Sequence, residues 1–257
     1  MTFEINKIYH GDCLKLMRDI PTGSIDMILC DLPYGTTQNK WDSIIPLDDL
    51  WEQYERVIKS NGAIVLTASY PFNCTLMHTN QKLFKYDLVW DKSMVSGHLN
   101  AKKMPLRRHE DILVFYKKPP VYNPQMTKGD PYKAISGNAT SNYGQQKQSV
   151  TVNSGNRYPV SIISIPQGRY KGGHPTQKPV ALFEYLVKTY TNEGEIVLDN
   201  CIGSGTTAVA CINSNRSFIG IEQEQKYVDI ANARIEKQGT FILPSQKRNI
   251  GEYGDES

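Results

Sequence analysis

Four consecutive residues near the start of the chain combine a carboxylate, a stiff turn and an aromatic ring. The run Asp31-Leu32-Pro33-Tyr34 directly follows the apolar stretch "DMILC". Pro33 has a fixed φ and restricts Leu32 to extended conformations, so the Asp31 carboxylate and the Leu32 carbonyl can point the same way. These two acceptors could accept both hydrogens of one –NH2 group, and the Tyr34 ring could stack on the planar ring that carries the amine. The plainer interpretation of the tetrapeptide alone is a turn with a capping acid and a core tyrosine.

Two such hydrogen bonds would change the reactivity of an amine on a planar ring. The lone pair of an exocyclic amine is delocalised into the ring, which makes the nitrogen a poor nucleophile. Two acceptors on its hydrogens favour a pyramidal nitrogen whose directed lone pair could attack a sulfonium methyl group in line. Asp31 would take the released proton directly or through solvent, and the sequence leaves both routes open.

A glycine loop far down the chain has the pattern of a nucleotide-binding turn. Residues 203–208, "GSGTTA", follow the strand-like run "EIVLD" and open a helical pattern. They match G-x-G-x-x-G/A, and Glu222 follows nineteen residues after Gly203 at the end of the next predicted strand, where an acid can bind ribose hydroxyls. Dinucleotide dehydrogenases and S-adenosylmethionine enzymes share this pattern, and a glycine turn without a ligand remains a further interpretation.

The position of the loop favours the second class of enzyme. A dehydrogenase needs further strands after its glycine fingerprint, whereas thirty-five residues follow Glu222 in this sequence. We therefore expect the remaining strands to come from the N-terminal half, which ends its own predicted strand at Asp31. Ligands bind outside the carboxyl ends of parallel strands, so both motifs can face one pocket.

Short apolar runs alternate with helical patterns along the chain. Runs rich in Ile, Val and Leu predict strands buried on both faces of a parallel sheet, at residues 26–31, 62–69, 86–91, 111–117, 195–200 and 217–222. Apolar residues at steps of three and four predict helices over 47–58, 179–190 and 227–237. The alternation predicts an α/β fold with a mostly parallel sheet and helices on both faces.

Several motifs together resemble a known family. The chain resembles the amino-methyltransferases of DNA, in the permuted group, often called beta, in which the catalytic motif precedes the S-adenosylmethionine loop. The similarity covers nearly the whole chain. The matching motifs are "YHGDCLKLM" (9–17), "DLPYGTTQNKWD" (31–42), "RRHEDILVFYK" (107–117), "HPTQKPVALFEYLV" (174–187), "LDNCIGSGTTAVA" (198–210) and "FIGIE" (218–222).

The resemblance implies a Rossmann-like methyltransferase sheet, S-adenosylmethionine as cofactor and no metal. Its catalytic residues would be Asp31, Leu32, Pro33 and Tyr34. Its cofactor-binding residues would be Asp12, Cys13, Asp31, His174, Thr176, Lys178, Asp199, Gly203, Ser204, Gly205, Thr206 and Glu222. Within this set Asp12 would bind the adenine amine, Glu222 the ribose, and Thr176 with Lys178 the methionine carboxylate, where helix N–H groups and positive charge converge.

One residue departs from the family pattern. Leu32 stands where the family usually has proline. The role at that position needs only a backbone carbonyl, so we expect Leu to be tolerated. Family members with an acid at the first motif position mostly methylate adenine N6, and those with serine mostly methylate cytosine N4. Asp31 therefore favours adenine.

The charge of the chain is unevenly distributed. Residues 91–171 contain thirteen Lys or Arg against four Asp or Glu, although the net charge is only +3. This asymmetry favours a surface that meets a polyanion. The Pro-, Gly-, Asn- and Tyr-rich stretch 119–161 has no helical period. We expect an irregular target-recognition insertion over 119–165, between a catalytic half (1–118) and a cofactor-binding half (166–257).

We expect double-stranded DNA as the partner and flipping of the target base, because a paired amine is not accessible in the duplex. The candidate DNA contacts are Lys102, Lys103, Arg107, Arg108, Arg157 and Arg169. The alternatives are a cytosine-N4, RNA or protein-glutamine methyltransferase, a nicotinamide oxidoreductase, or a DNA-binding module without activity. The resemblance leaves a homodimer and a cognate restriction endonuclease open.

The composition is that of a soluble protein. The 257 residues contain no apolar run of the roughly 20 residues that a membrane helix needs, and no signal-peptide pattern at the N-terminus. The five cysteines are scattered, without a Cys-x-x-Cys pair, so neither a disulfide framework nor a zinc site is indicated. We therefore expect a cytoplasmic protein.

Overall fold

A computed structural model describes residues 3–35, 43–135, 149–168 and 177–238. Contacts between Cα atoms divide the chain into a large unit (1–123 and 161–257) and a small unit (124–160). The strands of the large unit are β1 (Lys7–His10), β2 (Ile25–Asp31), β3 (Ile58–Ala68), β4 (Phe84–Ser96), β5 (Arg107–Phe115), β10 (Ile162–Ser164), β11 (Ile196–Asp199) and β12 (Ser217–Glu222). Its helices are α1 (Cys13–Met17), α2 (Leu47–Val57), α3 (Phe72–Thr79), α4 (Val180–Tyr190), α5 (Thr206–Asn213) and α6 (Gln225–Gln238).

In the described part of the large unit, these strands form one sheet in the order β1-β12-β11-β2-β3-β5-β4-β10. Neighbouring strands are parallel except where β5 lies antiparallel between β3 and β4. The predicted mostly parallel sheet is thus confirmed. The strands of the C-terminal half, β11 and β12, lie between β1 and β2 of the N-terminal half.

Helices cover both faces of this sheet, because its central strands are apolar on both sides. In β2, Ile28 and Cys30 pack in the core beside α1, α2 and α3, whereas Met27 and Leu29 pack in the core beside α4, α5 and α6. The predicted helix over 47–58 is observed at Leu47–Val57, and those over 179–190 and 227–237 at Val180–Tyr190 and Gln225–Gln238.

The strand order places four acidic residues at one edge of the sheet. The parallel strands β2, β11 and β12 end there at Asp31, Asp199 and Glu222. Because β5 runs in the opposite direction, its beginning lies at the edge where its neighbours end, and Glu110 of β5 pairs in register with Trp90 of β4. The acids that end β2, β11 and β12 and the acid near the start of β5 therefore lie at the same edge of the sheet.

The small unit contains two short antiparallel pairs among its described residues. Strands β6 (Thr127–Lys128) and β9 (Asn156–Arg157) form one pair, and β7 (Tyr132–Ile135) and β8 (Val150–Asn153) form the other. The Arg157 guanidinium lies 4.6 Å from the centre of the Tyr132 ring and donates to Oδ1 of Asn153 at 2.7 Å. Across the described residues of the chain, no helix has the length and apolar character needed to cross a membrane.

Candidate active site

A cavity of about 650 Å³ opens at the carboxyl edge of the sheet in the large unit. This volume lies within the range of small-molecule and cofactor sites, ~300–1,000 Å³. Most of the described residues predicted to do chemistry line it. They are Asp12, Cys13, Asp31, Leu32, Pro33, Tyr34, Lys178, Asp199, Gly203, Ser204, Thr206 and Glu222.

The Asp31 carboxylate is held by three donors. Its Oδ1 atom accepts from the Tyr34 hydroxyl at 2.7 Å and from Oγ1 of Thr67 at 2.5 Å, and its Oδ2 atom accepts from Nζ of Lys178 at 2.7 Å. Thr67 reaches Asp31 because the two residues are direct partners in the β2–β3 register. The carboxylate is thereby fixed in orientation at the cavity wall.

Tyr34 lies beside this carboxylate with its ring packed at the edge of the core. Its ring centre lies 5.4 Å from that of Phe72 and 5.7 Å from Nζ of Lys178. Burial raises the pKa of the Tyr34 hydroxyl well above its usual value, and the negative charge of Asp31 raises it further. The hydroxyl therefore stays protonated and donates to Asp31.

Lys178 connects Asp31 to a second carboxylate. Its Nζ lies 3.3 Å from Oε2 of Glu110, and Oε1 of Glu110 accepts from Nζ of Lys92 at 3.0 Å. Burial opposes the charge on Lys178, but the negative charges of Asp31 and Glu110 outweigh it and raise the pKa of Lys178 well above its usual value. Burial also opposes ionisation of Glu110, and the two ammonium groups outweigh it and hold the pKa of Glu110 below its usual range.

These contacts differ in kind from the predicted role of Lys178. The sequence assigned its ammonium to the methionine carboxylate, whereas in the structure that ammonium contacts two carboxylates of the chain. The methionine contact stays a prediction. Sequence reasoning missed Thr67, Glu110 and Lys92 as members of the site. Glu110 lies inside the motif "RRHEDILVFYK", whose single acid ahead of Asp111 was a signal that could have found it.

Glu222 and the glycine loop form a second part of the cavity wall. The backbone N–H of Gly203 donates to Oε2 of Glu222 at 2.9 Å, and that of Glu224 donates to Oε1 at 2.8 Å. Burial raises the pKa of Glu222. A carboxylate has about four acceptor sites, so Glu222 can still accept a hydrogen bond from a ribose hydroxyl, as predicted.

Asp199 stabilises the loop from inside. Its carboxylate accepts from the Thr207 hydroxyl and, at 3.1 Å, from the backbone N–H of Cys201. Burial raises the pKa of Asp199 to about 7, and the hydrogen bonds from Thr207 and Cys201 act in the opposite direction. Asp199 therefore shapes the turn that carries Gly203, and its direct contact with a cofactor stays a prediction.

Gly205 performs a packing role in the structure and is not among the residues that line the cavity. It precedes α5 with φ of +83°, and a Cβ atom there would lie 2.9 Å from Cβ of Ala231 in α6. Ser204, in contrast, lines the cavity and donates from its hydroxyl to Oε1 of Gln177 at 3.0 Å. Its predicted cofactor contact remains a prediction.

Asp12 lies at the N-terminus of α1 and lines the cavity with Cys13. Its Oδ1 atom accepts from the backbone N–H of Lys15 at 3.1 Å. The residues present fit an adenosyl group with a cationic tail. Asp12 and Glu222 supply acceptors for an amine and a diol, and the Asp31 carboxylate lines the same cavity.

The candidate DNA contacts lie in several places. Lys102 and Lys103 are exposed on the connection between β4 and β5. Arg107, the first residue of β5, donates to the Tyr70 carbonyl at 3.3 Å. Arg108 is already paired with Asp91, through Nε at 2.8 Å and Nη2 at 3.0 Å. Arg157 belongs to the small unit. The remaining predicted site residues, Arg169, His174 and Thr176, lie outside the described residues.

The comparisons with known proteins agree with this geometry. A family model described as DNA methylase matches residues 25–233. The chain therefore belongs to the DNA methylase family. It is 31% identical to the DNA adenine methyltransferase YhdJ of Escherichia coli (strain K12), over 99% of this chain and 92% of the relative. It is 32% identical to the type II methyltransferase M.BglII of Bacillus subtilis, over 88% of this chain and 68% of the relative.

Solved structures show the same fold. The crystal structure of the M1.HpyAVI-SAM complex is 27% identical, with a TM-score of 0.62 over 89% of this chain and 98% of that one. The PvuII DNA methyltransferase (cytosine-N4-specific) has a TM-score of 0.67 at 16% identity, over 91% of this chain and 90% of that one, which is a likeness of fold alone. The predicted Rossmann-like methyltransferase fold and family are confirmed, and membership of the permuted group stays a prediction.

Proposed function

We propose that this protein transfers a methyl group from S-adenosylmethionine to N6 of adenine in double-stranded DNA. The observation that carries the proposal is the Asp31 carboxylate, held by Tyr34, Thr67 and Lys178 at the wall of a cavity of cofactor size. The name of the relative YhdJ, a DNA adenine methyltransferase, and the SAM complex of M1.HpyAVI support the choice of base and cofactor.

Bound S-adenosylmethionine would supply an electrophilic methyl group on its sulfonium, and its sulfur would leave as the neutral thioether when the S–CH3 bond breaks. The chain's own residues would prepare the amine. Oδ1 of Asp31 already accepts two hydrogen bonds, so the amine would donate to the remaining lone pair of Oδ2, and its second hydrogen to the Leu32 carbonyl. Tyr34 would stack on the purine ring while its hydroxyl holds Asp31. After transfer, the nitrogen would lose a proton to Oδ2 of Asp31 or to water.

Methylation of unmethylated duplex DNA with labelled S-adenosylmethionine, followed by digestion to nucleosides, tests this function. We expect the label on N6-methyl-2′-deoxyadenosine with the parent protein and no label with Asp31→Ala. Circular dichroism and thermal unfolding of both proteins show whether the variant retains its fold, because Asp31 is itself a predicted cofactor contact. Label on N4-methylcytosine would overturn the choice of base, and label with Asp31→Ala would overturn the site.

The proposal also covers how the target base reaches the cavity and which macromolecules the protein binds. The irregular segment 119–165, which includes the small unit, would read the target sequence while the basic connection between β4 and β5 contacts phosphates. The target adenine would flip out of the duplex into the cavity, at a cost of a few kcal/mol. The relative M.BglII is named a type II methyltransferase, which supports a cognate restriction endonuclease as a partner of this protein. The proposal also includes a homodimer and a cytoplasmic location.

A further inference from the structure

Four charged side chains alternate in sign along one wall of the cavity, and the inference drawn from them rests on the proposed methyl transfer. The order is Lys92, Glu110, Lys178 and Asp31, with contacts of 3.0, 3.3 and 2.7 Å between successive groups. The side chains of Lys92, Glu110 and Lys178 are 10%, 15% and 7% exposed. The row is electrically neutral, which is the condition under which charges persist in a buried site.

The sheet order explains how the row is assembled. Asp31 ends β2 and Glu110 belongs to β5, and the two strands are separated by β3. Lys178, two residues before α4, bridges the two carboxylates over β3. Oε2 of Glu110 is buried and accepts no hydrogen bond among the described residues, and the Lys178 ammonium, 3.3 Å away, is its charge partner.

Removal of Lys178 would leave two carboxylates facing each other. Their oxygens lie on either side of one ammonium nitrogen and are therefore at most about 6 Å apart, a separation at which like charges favour retention of a proton. A proton on Asp31 would occupy an acceptor that the target amine needs. The other groups around Asp31 do not replace the lost charge, because Tyr34 and Thr67 are neutral and Asp199 and Cys30 add no positive charge.

We propose that Lys178 and Glu110 are positioning residues for Asp31. The Lys178 ammonium balances the charge of the Asp31 carboxylate and holds its Oδ2 atom toward the cavity, and Glu110 fixes that ammonium between the two carboxylates. Neither residue needs to touch the cofactor for this role. Lys92 holds the far oxygen of Glu110 and completes the neutral row.

The dependence of kcat on pH tests this role with both substrates saturating. We expect Lys178→Met to lower kcat at pH 7 by tenfold or more and to move the acidic limb of the profile upward, because two like-charged carboxylates then face each other. The double variant Lys178→Met, Glu110→Gln removes both partners, so no second carboxylate faces Asp31. We expect its acidic limb to return most of the way to the parent position. The Kd for S-adenosylmethionine should change by less than threefold in both variants.

A matched control comes from another lysine–aspartate pair in the same sheet. Nζ of Lys59 lies 2.6 Å from Oδ1 of Asp26, and neither residue lines the cavity. Lys59→Met should lower the melting temperature without moving the acidic limb of kcat. If it moves the limb as Lys178→Met does, the effect is a general loss of stability and the proposal is overturned.

The outcomes separate this inference from the function on which it rests. An inactive parent on every duplex would contradict the proposed function. An active parent with an unmoved acidic limb in Lys178→Met would overturn the inference alone. A raised Kd for the cofactor with unchanged kcat would assign Lys178 to the methionine carboxylate instead. If Lys178→Met does not fold, a triple variant that adds Lys92→Met to the double variant decides, because it leaves no lysine or glutamate of the row buried without its partner. A kcat equal to that of the parent in this triple variant would overturn the proposal.

Discussion

Asp199 is a carboxylic acid buried beneath the glycine loop, with only 3% of its surface exposed. Burial raises its pKa to about 7, far above the value near 4 that an exposed aspartate has in an unfolded chain. Between these two values the folded protein binds more protons at this position than the unfolded chain does. The contribution of Asp199 to stability is therefore largest at low pH and is lost as the pH rises from about 4 through about 7.

The variant Asp199→Asn isolates that contribution, because an amide does not ionise. We expect the free energy of unfolding of the parent, relative to the variant, to fall by up to about 4 kcal/mol between pH 4 and pH 7. Urea unfolding of both proteins across this range measures the difference. A constant difference between parent and variant would mean that Asp199 remains ionised in its buried position throughout.

Residues of the site that belong to one short motif could be predicted from the sequence, and those that depend on strand neighbours could not. Asp31 and Tyr34 are three residues apart, so the turn that joins them also brings them into contact. Thr67 reaches Asp31 only because β3 lies beside β2, and Glu110 reaches Lys178 only because β5 is antiparallel. No local pattern contains that information.

At the scale of elements, the N-terminus of α5 approaches α6 at Gly205. A Cβ atom at this position would lie 2.9 Å from Cβ of Ala231, and φ is +83°, where side chains are strained. Gly194 has a closely similar φ of +84°, but a Cβ atom there would meet nothing within 4 Å. A comparison of alanine substitutions at the two positions therefore separates the cost of backbone strain from the cost of helix packing.

We expect Gly194→Ala to cost about 1 kcal/mol from strain alone and Gly205→Ala to cost about 2–4 kcal/mol, since overpacking adds to the same strain. Thermal or urea unfolding of the two variants gives the comparison. Gly205→Ala should also weaken cofactor binding, because α5 follows the loop that lines the cavity. Equal losses of stability would show that α6 moves away without cost.

The elements that the sequence predicted well are those with one clear period. Helix α2 has a strict apolar stripe, and β11 is a short apolar run that ends at an acid, so both were found within one residue or two. Helix α3 (Phe72–Thr79) was not predicted, because it buries only Phe72, Asn73 and Leu76 and shows little periodicity. Strand β1 was also missed, since two buried residues between two exposed ones make a weak signal.

For the whole molecule, the basic surface beside the cavity should carry the salt dependence of DNA binding. Ser96 at the end of β4 lines the cavity, and Lys102 and Lys103 lie exposed on the connection that follows. We expect Lys102→Ala, Lys103→Ala to reduce the slope of log K against log salt concentration by about 1.8, since each phosphate contact contributes about 0.9. Fluorescence anisotropy with a labelled duplex at several salt concentrations measures the slope.

A control of equal charge lies at the other end of the same strand. Lys82 and Lys85 are exposed near the beginning of β4, at the edge of the sheet opposite the cavity. Lys82→Ala, Lys85→Ala should leave the slope nearly unchanged. Equal reductions by the two double variants would mean that DNA responds to net charge alone and does not bind at the cavity edge.

The placement of β11 and β12 between β1 and β2 also has a consequence for the nascent chain. A ribosome adds about 5–20 residues per second, so roughly 10–40 seconds separate the synthesis of Asp31 from that of Glu222. During that time β1 has no neighbour and β2 has one free edge, because their partners have not yet been made. The last strands to be synthesised, β11 and β12, must then insert between β1 and β2. Until they do, the growing polypeptide exposes apolar strand edges that a chaperone would cover.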